Sequence, residues 1–275
     1  MGIDGNSVQG RKEDTFSPTG IIRGTIGGHG YVQIGGLKWA TNNVAVSDSG
    51  YKEWRTEEFE VVKAPGTEED VIVGDYFQWG AHAGFCGKPT DEDRGLLIYE
   101  SFTRAICGDE LEMFNFKSGR SFQLSNTPYG SGLEYRKYTG TEGDGRAVLE
   151  PSDDVASVCW GDGWRTPSSS EYKALYSETE WTWSDEDSGY YVTPKGECLS
   201  WDRTNALLFF PASGYGYTKT TYGVGCMGRY WSRDLYPFSQ SSSIVYRLSF
   251  DRFTVNPQEI NSRHGGFSVR AVSDR

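Results

Sequence analysis

The sequence predicts an α+β fold made of two short helices, small antiparallel sheets and long irregular loops. Glycine and aromatic residues are abundant, with 35 Gly, 17 Tyr, 14 Phe and 9 Trp among 275 residues. Large rings then fill a core threaded by the tight turns that glycine permits. Apolar stretches are short, and only two of them carry helical periodicity. Their order is strands, a turn-rich excursion, two helices and strands again, an arrangement in which the chain ends can pair beside each other.

Residues 1–30 have little apolar periodicity and many turn formers. They read as an arm or linker, either a disordered leader or an attachment arm. From Tyr31 the pattern changes, and a domain over 31–275 begins. Tyr31-Val32-Gln33-Ile34 and Leu37-Lys38-Trp39-Ala40 are two short strands around Gly35-Gly36, a hairpin-turn pair. The stretch Gly74–Gly80 is aromatic and bounded by glycines. Residues 81–148 are polar and turn-rich and form an inserted loop region, with short aromatic strands near Leu96–Tyr99 and Phe114–Phe116. A helix is expected over Pro151–Trp160, with acidic residues in the first turn, where the helix dipole favours them. Val155, Val158 and Cys159 share one of its faces, and glycines at 161 and 163 stop it. In the second helix, over Thr166–Tyr176, Ser168 and Glu171 have capping-box spacing. Tyr172, Leu175 and Tyr176 make its buried face. Strands follow at Gly189–Thr193, Ala206–Pro211, Ile244–Phe250 and Phe267–Val272.

Composition narrows the function classes. Hydrophobic residues at 36% and charged residues at 24% describe a folded chain rather than a disordered one. A net charge of −11 repels phosphate backbones, so nucleic acid is not an expected partner. No apolar stretch approaches the ~20 residues that cross a bilayer, so membrane insertion is not expected. The segment Met1–Lys12 lacks the apolar core of a signal peptide. Cys86, Cys107, Cys159, Cys198 and Cys226 are scattered and odd in number, which argues against zinc and against a full disulfide framework. Most are expected to be small buried hydrophobes, with one bridge, such as Cys86 to Cys107, left open.

Seven motifs, in order along residues 31–272, carry a family resemblance. They are Gly36–Val44, Gly74–Gly80, Asp153–Ala156, Trp160–Pro167, Phe209–Tyr215, Gly228–Ser232 and Gly266–Val272. The chain resembles the C-type-lectin-like domains of the Fibrobacter succinogenes major paralogous domain family. These are related to the variable proteins of diversity-generating retroelements, the phage tropism determinants among them. The resemblance implies a C-type-lectin-like fold in which Trp164 and Trp231 are core rings and Pro211 ends a strand. It also implies that Gly266–Val272 closes the domain against the strand near Leu37. In such relatives a retroelement rewrites codons near the C-terminus while the scaffold stays fixed, which here implicates Trp231–His264. The location implied is a virion tail or a bacterial cell surface, and a homotrimer is implied by the tropism determinants.

The residues of the C-terminal segment, about 229–265, agree in part. From Arg229 onward there is no lysine but seven arginines, interleaved with Tyr230, Tyr236, Phe238, Tyr246 and Phe253. Arg and Tyr enrichment with Lys depletion marks binding surfaces. The alternative is a set of exposed polar residues on two strands and their loops. The candidate ligand-binding residues are Arg233, Asp234, Tyr236, Phe238, Tyr246, Arg247, Ser249, Asp251, Arg252, Phe253, Asn256, Asn261, Ser262 and His264. Strand alternation lets Tyr246 or Arg247 face outward, but not both. The expected partner is a cell-surface protein or glycan receptor.

Enzymatic and metal chemistry find little support. Formylglycine-generating oxidases, which share a related fold, need two reactive cysteines close together near the C-terminus. Here Cys226 is the last cysteine and has only Arg229 near it as a cation. Calcium-dependent sugar binding needs convergent oxygen ligands. Asn256-Pro257-Gln258 is the nearest match to a lectin calcium loop, and Trp231-Ser232-Arg233 puts a cation where carboxylates are needed. Asp185-Glu186-Asp187 reads as an exposed charged turn. His29, His82 and His264 have no ligand spacing. No cofactor, metal or catalytic residue is expected, so the reading is a receptor-binding protein. An oxidase of the formylglycine-generating type, or a structural module of a pilus or tail assembly, is the alternative.

Overall fold

The computed structural model of the chain describes residues 15–16, 20–45, 62–80, 84–89, 97–102, 138, 145–161, 163–196, 206–217, 220–237, 244–263 and 265–275. Within these, the chain is mixed, with small antiparallel sheets and two helices. It begins with β1 (Thr15–Phe16), β2 (Ile22–Ile26), β3 (His29–Ile34) and β4 (Leu37–Asn43), an antiparallel meander. Gly35 and Gly36 join β3 to β4 with Ile34 paired to Leu37, and their φ angles of 59° and 82° are those a primed hairpin turn demands.

The strand β2 corrects the expected arm over residues 1–30, because the sheet begins ahead of Tyr31. Ile22 and Ile26 pack against the core on one side. Arg23 reaches the other way, and its Nη2 donates to the Ala206 carbonyl at 2.9 Å. Five residues with a glycine at the centre are too short a signal to read without the partner strand.

Within the expected loop region over 81–148, the strand expected near Leu96–Tyr99 is present and pairs with a second strand that was not expected. After β5 (Tyr76–Phe77), β6 (Gly84–Pro89) pairs antiparallel with β7 (Leu97–Phe102). Phe114–Phe116 lies outside the described residues. Tyr138 is fully buried, with its ring 5.2 Å edge-on from Trp79. Its hydroxyl donates to the Asp153 carboxylate and accepts the Glu150 N–H at 2.8 Å.

Helix α1 (Val155–Trp160) is shorter than expected, and its acidic residues stand before it rather than in its first turn. Asp154 is the N-cap, accepting from the Ala156 N–H at 3.0 Å and also from the Thr166 N–H and hydroxyl. Gly161, at φ 61°, ends the helix. Val155 and Ala156 are buried, whereas Val158 and Cys159 are half-buried.

After β8 (Trp164–Arg165) comes α2 (Ser169–Glu178), which carries the capping box read from the sequence: Ser168 caps and Glu171 reciprocates. Tyr172 and Leu175 are buried, but Tyr176 is 41% exposed and rests against Trp181. A ten-residue helix buries a narrow stripe, and Tyr176 falls at its margin.

The remaining elements are β9 (Thr179–Ser184), β10 (Gly189–Pro194), β11 (Leu208–Pro211), β12 (Tyr215–Tyr217), β13 (Thr220–Tyr222), β14 (Met227–Leu235), β15 (Ile244–Asp251), β16 (Val255–Ser262) and β17 (Arg270–Ser273). Pro211 ends its strand as expected. The strand β17 pairs antiparallel with β4, Val272 opposite Trp39, and with β8, so the last strand closes the sheet β1-β2-β3-β4-β17-β8. The sheets β11-β10-β9, β12-β13-β7-β6-β5 and β14-β15-β16 complete the described architecture.

The β14–β15–β16 sheet divides the core. Tyr230, Leu248 and Phe250 face a cluster with Trp39, Tyr172, Phe210 and Val272. Trp231, Leu235 and Val245 face another with Trp79, Trp164 and Phe267. Trp164 and Trp231, expected as core rings, are each 1% exposed. Each buried ring of this size removes roughly 150–250 Å² from water, about 4–6 kcal/mol at the usual coefficient. Arg270 ties the layers together. Its guanidinium is fully buried and donates to Asn43 Oδ1 and to the carbonyls of Ala40, Thr41 and Phe209.

Candidate functional site

The C-terminal segment folds as the antiparallel sheet β14–β15–β16. Eight residues of β15 span about 24 Å at the usual rise, so the candidate residues cannot form one cluster. Arg233, Asp234, Tyr236, Tyr246, Asn261 and Ser262 gather at one end, Arg247 and Ser249 in the middle, and Asp251, Arg252, Phe253 and Asn256 toward the hairpin tip. Phe238 and His264 lie outside the described residues.

At the first end, several polar groups serve the scaffold. Asp234 Oδ2 accepts the Ser169 N–H at 2.6 Å, meeting one of the unpaired donors at the start of α2. The Arg233 N–H donates to the Pro167 carbonyl at 2.8 Å. Tyr236 and Tyr246 pack edge to face with centroids 5.4 Å apart, and both remain half-buried. Asn261 Oδ1 accepts the Ser262 N–H at 2.7 Å.

The tip is more open. Asp251 Oδ1 accepts the N–H groups of Phe253 and Thr254, so this carboxylate shapes the turn. Phe253 is 80% exposed and lies under the Arg252 guanidinium at 5.2 Å. Arg252 pairs with Asp185 at 3.2 Å, bringing the β9–β10 turn beside the hairpin. Between them is a cleft of about 550 Å³ lined by Trp183, Asp185, Ser188, Cys226, Arg252 and Phe253. Cys226 is exposed and Cys159 is half-buried.

In the middle of the sheet, alternation decides between Tyr246 and Arg247. Tyr246 is half-buried on one face, and Arg247 is 3% exposed on the other. Arg247 pairs with Glu259 on β16 at 2.6 Å, and its guanidinium lies 4.9 Å from the Phe267 ring. Arg229, across β14, stacks on Tyr215 at 3.5 Å. Burial, and then the neighbouring Arg229 charge, push Arg247 down to about 10, and burial also lowers Arg229.

Tyr215, Arg229, Glu259, Trp183 and Asp185 were not singled out from the sequence as binding residues. The signal for Arg229 was present, because it is the first of the seven arginines in the lysine-free C-terminal segment. Asp185 and Arg252 are 67 residues apart, and no local pattern links them.

A second cleft, of about 610 Å³, is lined by His29, Thr41, Asn42, Glu69 and Trp160 and contains none of the expected site residues. His29 stacks on Trp160 at 3.8 Å, and burial lowers its pKa. No helix among the described residues is long and apolar enough to cross a membrane. No family model matches the chain, and neither a curated protein nor a solved structure matches it.

Proposed function

We propose that the chain is a C-type-lectin-like ligand-binding protein that contacts a cell-surface receptor through its C-terminal sheet. Its setting is a phage tail tip or a bacterial surface, and its variation comes from a diversity-generating retroelement. The observation that carries the reading is the β15–β16 hairpin. None of the eight residues of β16 is buried, and the turn before it holds Phe253 at 80% exposure beside Arg252 and an open cleft. An edge strand that contributes so little to the core presents polar groups, and an exposed aromatic paired with arginine is the composition of a binding anchor. The two core clusters, packed on opposite sides of the sheet, hold it rigid, which lowers the ordering cost of contact at its hairpin tip.

Burying a phenylalanine ring contributes about 2–3 kcal/mol, so Phe253→Ala should weaken receptor-cell binding by roughly 30-fold or more. The Tm should stay within a few degrees, because an exposed turn residue changes stability by about 0.5 kcal/mol or less. Flow cytometry with the labelled chain measures the first and calorimetry the second; unchanged cell binding sinks this anchor. Sequencing the locus across a population of the source strain tests the variation. Substitutions concentrated between Trp231 and His264, beside a near-identical template repeat, support a diversified protein, and an invariant segment removes that part of the proposal.

A further inference from the structure

Two hairpin turns meet at the open end of the C-terminal sheet and enclose the cleft of about 550 Å³, a size within the range of about 300–1,000 Å³ that small-molecule sites occupy. The β9–β10 turn supplies Asp185 and Ser188, and the β15–β16 turn supplies Arg252 and Phe253. Trp183 on β9 and Asp251 at the end of β15 stand beside them. The indole of Trp183 is fixed from two sides. It packs edge-on to Tyr190 at 5.3 Å, and its Nε1 donates to Asp185 Oδ1 at 2.8 Å. Asp185 also pairs with Arg252, whose guanidinium lies over the Phe253 ring. Asp251 Oδ1 accepts from the Phe253 and Thr254 N–H groups and the Thr254 hydroxyl, and its Oδ2 accepts nothing among the described residues. Ser188 adds a different signal. Its φ of 51° lies in the left-handed region, which glycine adopts more easily than serine. Its hydroxyl makes no hydrogen bond among the described residues, so no bond within the turn offsets that cost. A Cβ added at Gly225 would have the Ser188 Oγ, at 3.9 Å, as its one neighbour within 4 Å, so this oxygen overlooks open space. A side chain kept in a costly conformation, and of no use to its own turn, marks a functional surface.

We propose that this cleft holds a neutral pyranose, the terminal ring of a surface glycan. The inference rests on the reading of the hairpin tip as the receptor-binding end and names the ligand class. A pyranose has a face of C–H groups and a rim of hydroxyls, so it needs an aromatic wall and polar groups of both kinds in one place. Trp183 and Phe253 supply the wall, and aromatic surface with a few placed polar groups is the usual make-up of a small-ligand site. Arg252 donates to sugar oxygens, the open Asp251 Oδ2 accepts from a hydroxyl, and the Ser188 hydroxyl does either. A charged ligand is served less well. An anion meets Asp185 and Asp251 and a cation meets Arg252, whereas a neutral ring engages groups of both signs without repulsion. A purely apolar ligand would cover these polar groups without bonding them.

The test is a titration of the full chain with the methyl glycosides of glucose, galactose and mannose, and with glucuronate, choline and cyclohexanol, read by saturation-transfer NMR. At least one glycoside should bind with a Kd of about 10 mM or tighter, and the protons of one ring face should take up most of the saturation. Phe253→Ala should weaken that glycoside by about tenfold or more, and Ser188→Gly by about threefold or more. Ser188→Gly also removes the left-handed serine, so Tm by calorimetry should hold or rise. Weaker binding with undiminished stability is a pairing that a structural role for the hydroxyl would not produce. Absence of glycoside binding at about 10 mM, or unchanged affinity in Ser188→Gly, overturns the site. Glucuronate, choline or cyclohexanol binding as tightly as the best glycoside overturns the neutral-sugar assignment. Cell attachment separates this inference from the reading beneath it. Cell binding by a chain that takes up no glycoside overturns the sugar inference alone. Glycoside binding by a chain that attaches to no cell supports the cleft and overturns the receptor reading alone.

Discussion

Replacing Arg270 with methionine tests how the domain is held closed. The methionine keeps most of the buried stem and removes four hydrogen bonds, to Asn43 Oδ1 at 2.9 Å, Ala40 O at 3.1 Å, Thr41 O at 2.6 Å and Phe209 O at 2.9 Å. These acceptors lie on β4 and β11, so the one side chain joins the closing sheet to the β11-β10-β9 layer. Each acceptor left unmet in the interior costs about 1–3 kcal/mol, and relief of the guanidinium desolvation returns part of the sum. The net loss expected is about 3–5 kcal/mol. At roughly 2–4 °C per kcal/mol for a domain of this size, a loss near 4 kcal/mol lowers Tm by about 8–16 °C. Arg270→Lys, with three donors and no planar fork, should recover about half. Equilibrium unfolding in urea, followed by fluorescence of the buried Trp39, Trp79, Trp164 and Trp231, measures both variants. A loss under about 1 kcal/mol in Arg270→Met would mean that desolvation cancels the bonds, and the description of Arg270 as the tie between layers would be wrong.

Other perturbations test separate parts of the structure. Arg165 bonds both Glu171 and Asp274. Burial acts to raise the Glu171 carboxyl, but Arg165 and the Ser168 N–H outweigh it, and Arg165 holds Asp274 low as well. Carboxyls lowered in the folded state stabilise above their ordinary values, and that stability is lost as pH falls through the folded values. The stability difference between wild type and Arg165→Met should therefore be full near pH 6 and shrink below about pH 4.5; a pH-independent difference in urea unfolding refutes the ion network. Gly228→Ala brings a Cβ within 2.1 Å of the Phe250 ring, its cross-strand partner, and should cost about 1–3 kcal/mol by calorimetry. Part of that loss should return in the double variant with Phe250→Leu, and no return would place the strain elsewhere. Tyr138→Phe removes one hydrogen bond from the Asp153 carboxylate and one from the Glu150 N–H and should cost about 1–3 kcal/mol in the same assay. A change under about 0.5 kcal/mol would mean that water replaces the hydroxyl.

Local chemistry made much of the fold legible in the chain itself. Gly35-Gly36 between two apolar runs specifies a hairpin, because two consecutive positive φ angles suit glycine. Ser168 and Glu171 specify the start of α2 through bonds that span three residues. Pro211 ends β11, and the alternating Ile244–Phe250 run becomes β15. Where signals were short or polar, reading failed. Ile22–Ile26 has a glycine at its centre, and Thr179–Ser184 mixes threonine, glutamate and tryptophan, so neither run announces a strand without its neighbours.

The site divides along the same physical line. Its composition, arginine and tyrosine without lysine, is a property of the chain and needs no coordinates to see. Which of those residues converge depends on how three strands pair. The register shifts between Trp231 and Leu235 on β14, and again across β15 and β16 between Arg247 and Ser249. A shift of one residue exchanges the two faces of a strand, so register decides that Arg247 points inward beside Arg229 while Tyr246 takes the other side. Packing likewise commits Asp234 to the start of α2 and Asp251 to the hairpin turn. Short-range rules reach three or four residues along the chain. The partners of Arg247, Asp234 and Arg252 lie farther away, and only the folded arrangement of sheets brings them within bonding distance.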